Sequence, residues 1–157
     1  MKLSLALLIV MLVQQNVFAG EPYPAVNTKY FDNGALNEKY MGKLIAIEGM
    51  IERLEIGPVG RPLLQIALPH PIYKSIWIGS LVKDQSGILE KGNIIRVLGY
   101  LKRVESEDTF TVAITSDDFH VLGFCFLNIS KMKGVFFSEG IKQCKGWQSG
   151  KNAAELM

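Results

Sequence analysis

The sequence contains few of the residues from which catalytic and metal sites are usually built. Its 157 residues include two histidines, His70 and His120, and two cysteines, Cys125 and Cys144. The histidines show no metal-site spacing. The sequence also has no Gly-x-Ser-x-Gly motif, no His-Glu-x-x-His motif and no phosphate-binding glycine loop. We therefore predict that the protein is not an enzyme and uses no metal ion and no cofactor.

An excess of charge of one sign is also missing. The formal net charge is +2, with 20% charged and 48% hydrophobic residues, which is typical of a globular chain rather than a disordered one. The length fits a single domain. Tight binding to a phosphate backbone needs clustered Lys and Arg, so this balance counts against nucleic acid as a partner.

Only one hydrophobic run is long, and it lies at the N-terminus. Lys2 is followed by an apolar run from Leu3 to Val13, then by "QQN" and "VFA". This order is typical of a secretory signal peptide, here cleaved after Ala19. A membrane anchor is the alternative, but a spanning helix needs about 20 apolar residues. We expect a periplasmic or secreted protein whose mature chain has no transmembrane segment.

The two cysteines form an even pair. In an oxidising compartment such a pair predicts one disulfide, Cys125–Cys144. Two buried free thiols are the alternative. A disulfide would also prevent either cysteine from acting as a nucleophile, which agrees with the prediction that the protein is not an enzyme.

One strand pattern occurs twice. "GKLIAIEGMIER" covers residues 42–53, and "GNIIRVLGYLKR" covers residues 92–103. Apolar and polar residues alternate in both, which predicts half-buried β-strands. The central glycines, Gly49 and Gly99, predict a bulge, a bend or close approach of another backbone, as small barrels require when the sheet curls to close. An ancient duplication is the alternative, although repeat arrays usually have at least three copies.

Three further strands are predicted within residues 61–68, 72–82 and 110–129, because apolar residues alternate there between turn-rich segments. The link at residues 83–93 is rich in turn residues and has room for at most one helical turn. The chain therefore has five main strands, of which the first and fourth are the bent ones.

The run from Gly42 to Ile129 resembles the OB-fold, a five-stranded Greek-key barrel, and looks most like the small exported OB-fold proteins and the anticodon-binding-like group. The resemblance is carried by "LEKGNIIRVLGYLKR", in which a turn and a glycine lead into an alternating strand with a second glycine. The chain departs from the pattern because it lacks a clear helix between strands three and four. We predict an all-β fold made of a signal peptide (1–19), an N-terminal arm (20–41), an OB-like barrel (42–129) and a partly helical C-terminal tail (130–157).

Four residues are candidates for ligand binding: Gln65, Tyr73, Trp77 and Arg61. The resemblance implies that ligands bind on the outer face of strands two and three and on the adjoining loops. Tyr73 and Trp77 lie on that face of the third strand, about 13 Å apart, with Gln65 beside them and Arg61 in the first loop. Aromatic rings with nearby cations are how OB-folds stack single-stranded nucleic acid. The alternative is that both rings pack beneath the arm or the tail.

The C-terminal tail mixes lysines with Phe136, Phe137 and Trp147. This pattern fits a patch for a partner or an anionic surface, or a cap folded back on the barrel. The predicted function is an exported, non-enzymatic binding module for an unknown protein partner or small ligand of the cell envelope. The alternatives are oligonucleotide or oligosaccharide binding on the OB face, and a small envelope hydrolase. The acidic loop "ESEDT" and the export signal both count against nucleic acid.

Overall fold

The structure is a computed structural model that describes residues 29–32, 35–57, 60–68, 75–83, 87–103, 119–136 and 140–157. Several features predicted above lie outside these residues: the signal peptide, the first part of the N-terminal arm, His70, Tyr73 and the acidic loop at residues 105–109.

The described chain is mostly β-strand, with one short α-helix near the C-terminus. Two 3₁₀ turns, Glu38–Tyr40 and Ala153–Leu156, flank the main body. The strands and the helix are β1 Phe31–Asp32, β2 Ala35–Leu36, β3 Leu44–Ile56, β4 Pro62–Ala67, β5 Ser75–Ser80, β6 Ile94–Arg103, β7 Phe119–Asn128, β8 Lys133–Phe136 and α1 Ile141–Gln148.

Five of these strands form a closed barrel. The order in the sheet is β5-β4-β3-β6-β7-β8, and β5 also pairs with β7, which closes the barrel. All the pairings in the barrel are antiparallel except β5 with β7, which is parallel. A five-stranded barrel of this kind is the OB-like all-β fold that the sequence predicts. The added strand β8, which extends the sheet beyond β7, was not predicted.

The two copies of the repeated pattern are antiparallel neighbours, β3 and β6. Ile47 lies opposite Val97, and the glycine of each copy lies opposite an isoleucine of the other: Gly49 faces Ile95, and Gly99 faces Ile45. The two copies therefore play equivalent parts on either side of one strand pair, which is a geometric reason for their likeness.

The central glycines are needed because another backbone passes close to each. A Cβ on Gly49 would overlap the carbonyl oxygen of Ala67, and one on Gly99 would lie 2.5 Å from the carbonyl oxygen of Leu122. Neither glycine has a positive φ, so close approach, rather than a left-handed backbone, excludes larger residues there. The ladders also shift register at Ile51/Arg53 and at Leu98/Gly99, which inserts Glu52 into β3 and Phe124 into β7.

The inside of the barrel is filled by branched aliphatic side chains from all five strands. Ile88 and Leu89 from the link before β6 are also buried in this core, and the carbonyl of Ile88 accepts a hydrogen bond from Asn128 at 2.6 Å. The described part of the link, residues 87–93, contains no helix. The fully buried members of the barrel core include Ile45, Ile47, Ile51, Leu64, Ile66, Ile78, Ile95, Val97, Leu101, Val121 and Phe126.

A second buried layer lies outside the barrel, where the C-terminal segment covers β3, β6 and β7. Ala46, Leu98 and Cys125 are consecutive cross-strand neighbours on the outer face. They are fully buried in one cluster with Cys144 and Trp147 of α1. The tail therefore folds back as a cap, and Trp147 belongs to the core and is not part of a surface patch.

Candidate functional site

The structure brings two of the four predicted ligand-binding residues together. Gln65 on β4 and Trp77 on β5 are direct cross-strand partners on the outer face of the barrel, because the core residues Leu64 and Ile66 flank Gln65 on the other face. Arg61 lies in the loop before β4 and is half-buried. Tyr73 lies outside the described residues.

Trp77 does not present an open ring. Only 5% of the residue is exposed, and the guanidinium of Arg53 lies 5.2 Å from the ring centroid, within cation–π range. Gln65 donates from Nε2 to Ser75 Oγ at 2.9 Å. The described part of this face is therefore occupied by contacts within the chain, and Trp77 offers no free ring on which a base would stack.

Arg53 is the member of this cluster that sequence reasoning missed. It lies opposite Gln65, which lies opposite Trp77, so three neighbouring strands contribute one row of side chains. The register shift after Ile51 puts Arg53 on the outer face. A sequence shows the Arg53 charge but not this shift, and without the shift Arg53 would be assigned to the core face.

The end of β3 has an open edge. Residues 53–56 pair with β4 on one side, and the described residues supply no strand on the other, since the pairing with β6 stops at Met50 and Ile94. Leu54 is 38% exposed and Ile56 is 70% exposed. Exposed apolar side chains on an unpaired strand edge are a template for another strand.

The backbone of Leu54 and Ile56 faces this open edge. Gly57 N–H donates to the Arg61 carbonyl at 2.8 Å, and hydrogen-bonded and non-hydrogen-bonded pairs alternate along an antiparallel ladder. The pairs Glu55 with Leu63 and Arg53 with Gln65 are thus hydrogen-bonded. The N–H and C=O groups of Leu54 and Ile56 consequently point away from β4. We call residues 53–56 the open edge.

Charge on the open edge lies on one face. Arg53 Nη2 and Glu55 Oε1 form a salt bridge within the strand, on the same face as Trp77. Leu54 and Ile56 project from the opposite face. Both charged side chains are about half exposed, so the pair contributes little to stability and both groups remain accessible to a partner.

A second ion pair lies where the covered part of β3 ends. Arg96 Nε donates to Glu48 Oε2 across β3 and β6, and the two side chains are only 16% and 11% exposed. The next cross-strand pair, Met50 with Ile94, is apolar and solvent-exposed. The ion pair therefore marks the border between the capped and uncapped outer surface.

The structure corrects the predicted disulfide. Cys125 and Cys144 are both free and fully buried. Cys144 lies against the Phe124 carbonyl, with 3.8 Å between sulfur and oxygen. The hydrogen bond between the two thiols and their burial raise the pKa of Cys125. A buried neutral thiol is a poor nucleophile, so this pair offers no catalytic cysteine even without a disulfide.

Two further candidate sites among the described residues are small or occupied. A shallow cavity of about 110 Å³ lies between the N-terminal arm and the last residues, well below the roughly 300 Å³ at which ligand pockets begin. Lys131 of the tail bonds to Glu90 and to the Gly87 carbonyl. Among the described residues no group of three or more His, Cys, Asp and Glu side chains is placed to hold a metal ion. The described part of the chain also contains no helix long and apolar enough to cross a membrane.

Comparison with known proteins assigns no family. No protein-family model matches the sequence, and no curated protein matches it. Among solved structures, the chain is similar to the crystal structure of the S. pombe Stn1–Ten1 complex. The sequence identity is 14% and the TM-score is 0.37, and the match covers 73% of this chain and 77% of that chain. A likeness this distant says nothing about what the chain binds.

Proposed function

We propose that the chain is an exported, non-enzymatic binding module that takes a protein partner on its open edge. The observation that carries this is the edge itself: Leu54 and Ile56 combine exposed apolar side chains with backbone groups that no strand of the described residues pairs. Strand addition uses both features, since main-chain hydrogen bonds give affinity and alternate side chains give specificity.

The chemistry of the rest of the surface supports a binding role over catalysis. The buried thiols are poor nucleophiles, and His120 is buried. Stacking of oligonucleotides or oligosaccharides on the OB face is less favoured, because Trp77 is already covered and contacts Arg53. The export part of the proposal rests on the first 19 residues alone. Protein recovered from the envelope or the medium is expected to have the intact mass of a chain that starts at Gly20. A mass that includes residues 1–19 would contradict export.

Site-specific photo-crosslinking tests the partner surface. A photoreactive side chain is placed at Ile56 on the open edge or, as a control, at Ile141 on α1, which is also an exposed apolar position. Protein adducts are expected in the producing cells from position 56 and not from position 141. Equal yields from the two positions, or none from position 56, would refute the proposal.

Proline substitutions distinguish strand addition from simple apolar contact. Leu54→Pro removes an N–H that points to the open edge, where proline is tolerated, so we expect a folded protein that no longer forms the adduct. Glu55→Pro is the matched control. It removes an N–H that bonds to β4 and is expected to destabilise the fold, because a ladder hydrogen bond is lost. A Leu54→Pro variant that still forms adducts in full yield would show that no strand is added.

A further inference from the structure

The sequence of the open edge is complementary to itself. The edge carries a cation, Arg53, and an anion, Glu55, on one face of β3. The apolar residue Leu54 lies between them in the sequence. If two such edges run antiparallel around a two-fold axis at Leu54, Arg53 of each copy faces Glu55 of the other. From this geometry we infer that the partner on the open edge is a second copy of this chain. The inference rests on the proposed function and specifies its partner.

The backbone supports the same register. Because the N–H and C=O of Leu54 point to the open edge, Leu54 in one copy and Leu54 in the second can exchange both hydrogen bonds of a hydrogen-bonded pair. The flanking pairs, Arg53 with Glu55, are then non-hydrogen-bonded pairs. Side chains approach most closely in such pairs, so the opposite charges lie where their attraction is strongest.

Two other axes on this edge bring like charges together. An axis at Glu55 pairs Leu54 with Ile56 of the second copy but sets Glu55 against Glu55. An axis at Arg53 sets Arg53 against Arg53. Like charges directly opposite each other destabilise a strand pair. The axis at Leu54 is the one of these three that joins opposite charges, so the charges favour it over the other two.

The rest of the edge is compatible with this dimer. Arg53 is held over Trp77 and bridged to Glu55, so the two charges are already oriented on one face before association. Ile56, the most exposed large apolar residue of this strand, lies next to the shared sheet. An isologous contact of this kind closes after two copies, so a dimer and not a filament is expected.

Charge reversal and mixing test the inference by sedimentation velocity of the purified protein. The wild-type chain is expected to be a dimer. Arg53→Glu alone places two anionic pairs across the axis, and Glu55→Arg alone places two cationic pairs. Each is expected to weaken self-association about tenfold or more. An equal mixture of the two variants restores opposite charges at both pairs and is expected to recover the dimer.

The mixture separates contacts between copies from contacts within one copy. In both variants the internal bridge between Arg53 and Glu55 is broken, so recovery on mixing can only come from the second chain. Lys142→Glu, at an exposed position of α1, changes the net charge as much as Arg53→Glu does and is expected to leave the dimer intact. Thermal unfolding of each variant checks that it is folded.

The outcomes also separate this inference from the proposed function. A monomeric wild-type protein, or variants that fail to recover on mixing, would overturn self-pairing. If the protein is monomeric and position 56 still crosslinks to a different protein, the open edge keeps its function with another partner. If the protein is monomeric and position 56 gives no adduct, both proposals fail.

Discussion

The two halves of β3 lie in different surroundings. From Leu44 to Gly49 every residue is buried, whichever face it occupies. From Met50 onward only Ile51 is buried, and residues 52–56 are all exposed. The inner face is filled by the barrel core in the first half and as far as Ile51. The difference therefore comes from what lies on the outer face and along the second edge.

The C-terminal segment covers one half of the strand and not the other. In the first half Ala46 lies under the layer that contains Trp147, and its N–H donates to the Tyr30 hydroxyl at 3.0 Å. The second half extends beyond the start of β6 and has no neighbour on that edge among the described residues. One strand is thus covered at one end and exposed at the other, where we propose that a partner binds.

The largest expected loss of stability comes from a substitution in the layer that covers the first half of β3. Trp147→Ala removes a fully buried ring and is expected to lower the free energy of unfolding by about 3–5 kcal/mol. Ile56→Ala on the open edge is the comparison, and it is expected to change stability by no more than about 0.5 kcal/mol. Chemical denaturation measures both. Similar losses of unfolding free energy for the two variants would show that the two halves of β3 are equally buried.

Trp77→Ala tests whether the outer face of β4 and β5 is covered, like the first half of β3, or exposed, like the second. Since only 5% of Trp77 is exposed, truncation is expected to cost about 3 kcal/mol or more and to lower the melting temperature clearly. An unchanged melting temperature would instead indicate an available ring and would favour ligand binding on that face.

Gly49→Ala tests whether close approach of a neighbouring backbone requires glycine where the two halves of β3 meet. The added Cβ overlaps the Ala67 carbonyl oxygen, and the strands must separate to admit it, at an expected cost of about 1–3 kcal/mol. Gly99→Val is expected to be destabilising for the same reason. Ile94→Val, at an exposed position of β6, is the control and is expected to be nearly neutral. A Gly49→Ala variant as stable as that control would refute close approach as the reason for glycine.

The smallest expected effect is at the border of the uncovered surface. Met50 is 44% exposed, so Met50→Ser is expected to change the free energy of unfolding by about 0.5 kcal/mol or less. A larger loss, measured by the same denaturation, would show that Met50 is covered in solution and would shift the border towards the open edge.

Thiol labelling sharpens the comparison within the covered layer. We expect Cys125 and Cys144 to react with a thiol reagent in denatured protein without prior reduction. In native protein they are expected to react slowly, because both are fully buried and the pKa of Cys125 is raised. Denatured protein that releases thiols only after reduction would show that the disulfide does form in solution.

The sequence by itself determined the barrel. Period-two alternation assigns residues such as Ile47 and Val97 to one face of a strand, and the central glycines Gly49 and Gly99 mark where strands approach closely. These are local properties, so they can be read without knowing the fold. The OB-like arrangement was predicted from the resemblance of this strand pattern to OB-folds, and the structure confirms it.

Only the tertiary structure decided which outer faces are covered. Trp77 lies between Ile76 and Ile78, and Trp147 lies beside Gln148. Both rings are nevertheless buried, while Leu54 and Ile56 are exposed. Burial of an outer face depends on segments far along the chain, as when the C-terminal segment packs on β3 and β7. Two features decide where the open edge begins: the bulge at Glu52 and the start of β6 at Ile94. None of these is a local property, because each depends on which backbone lies beside the strand.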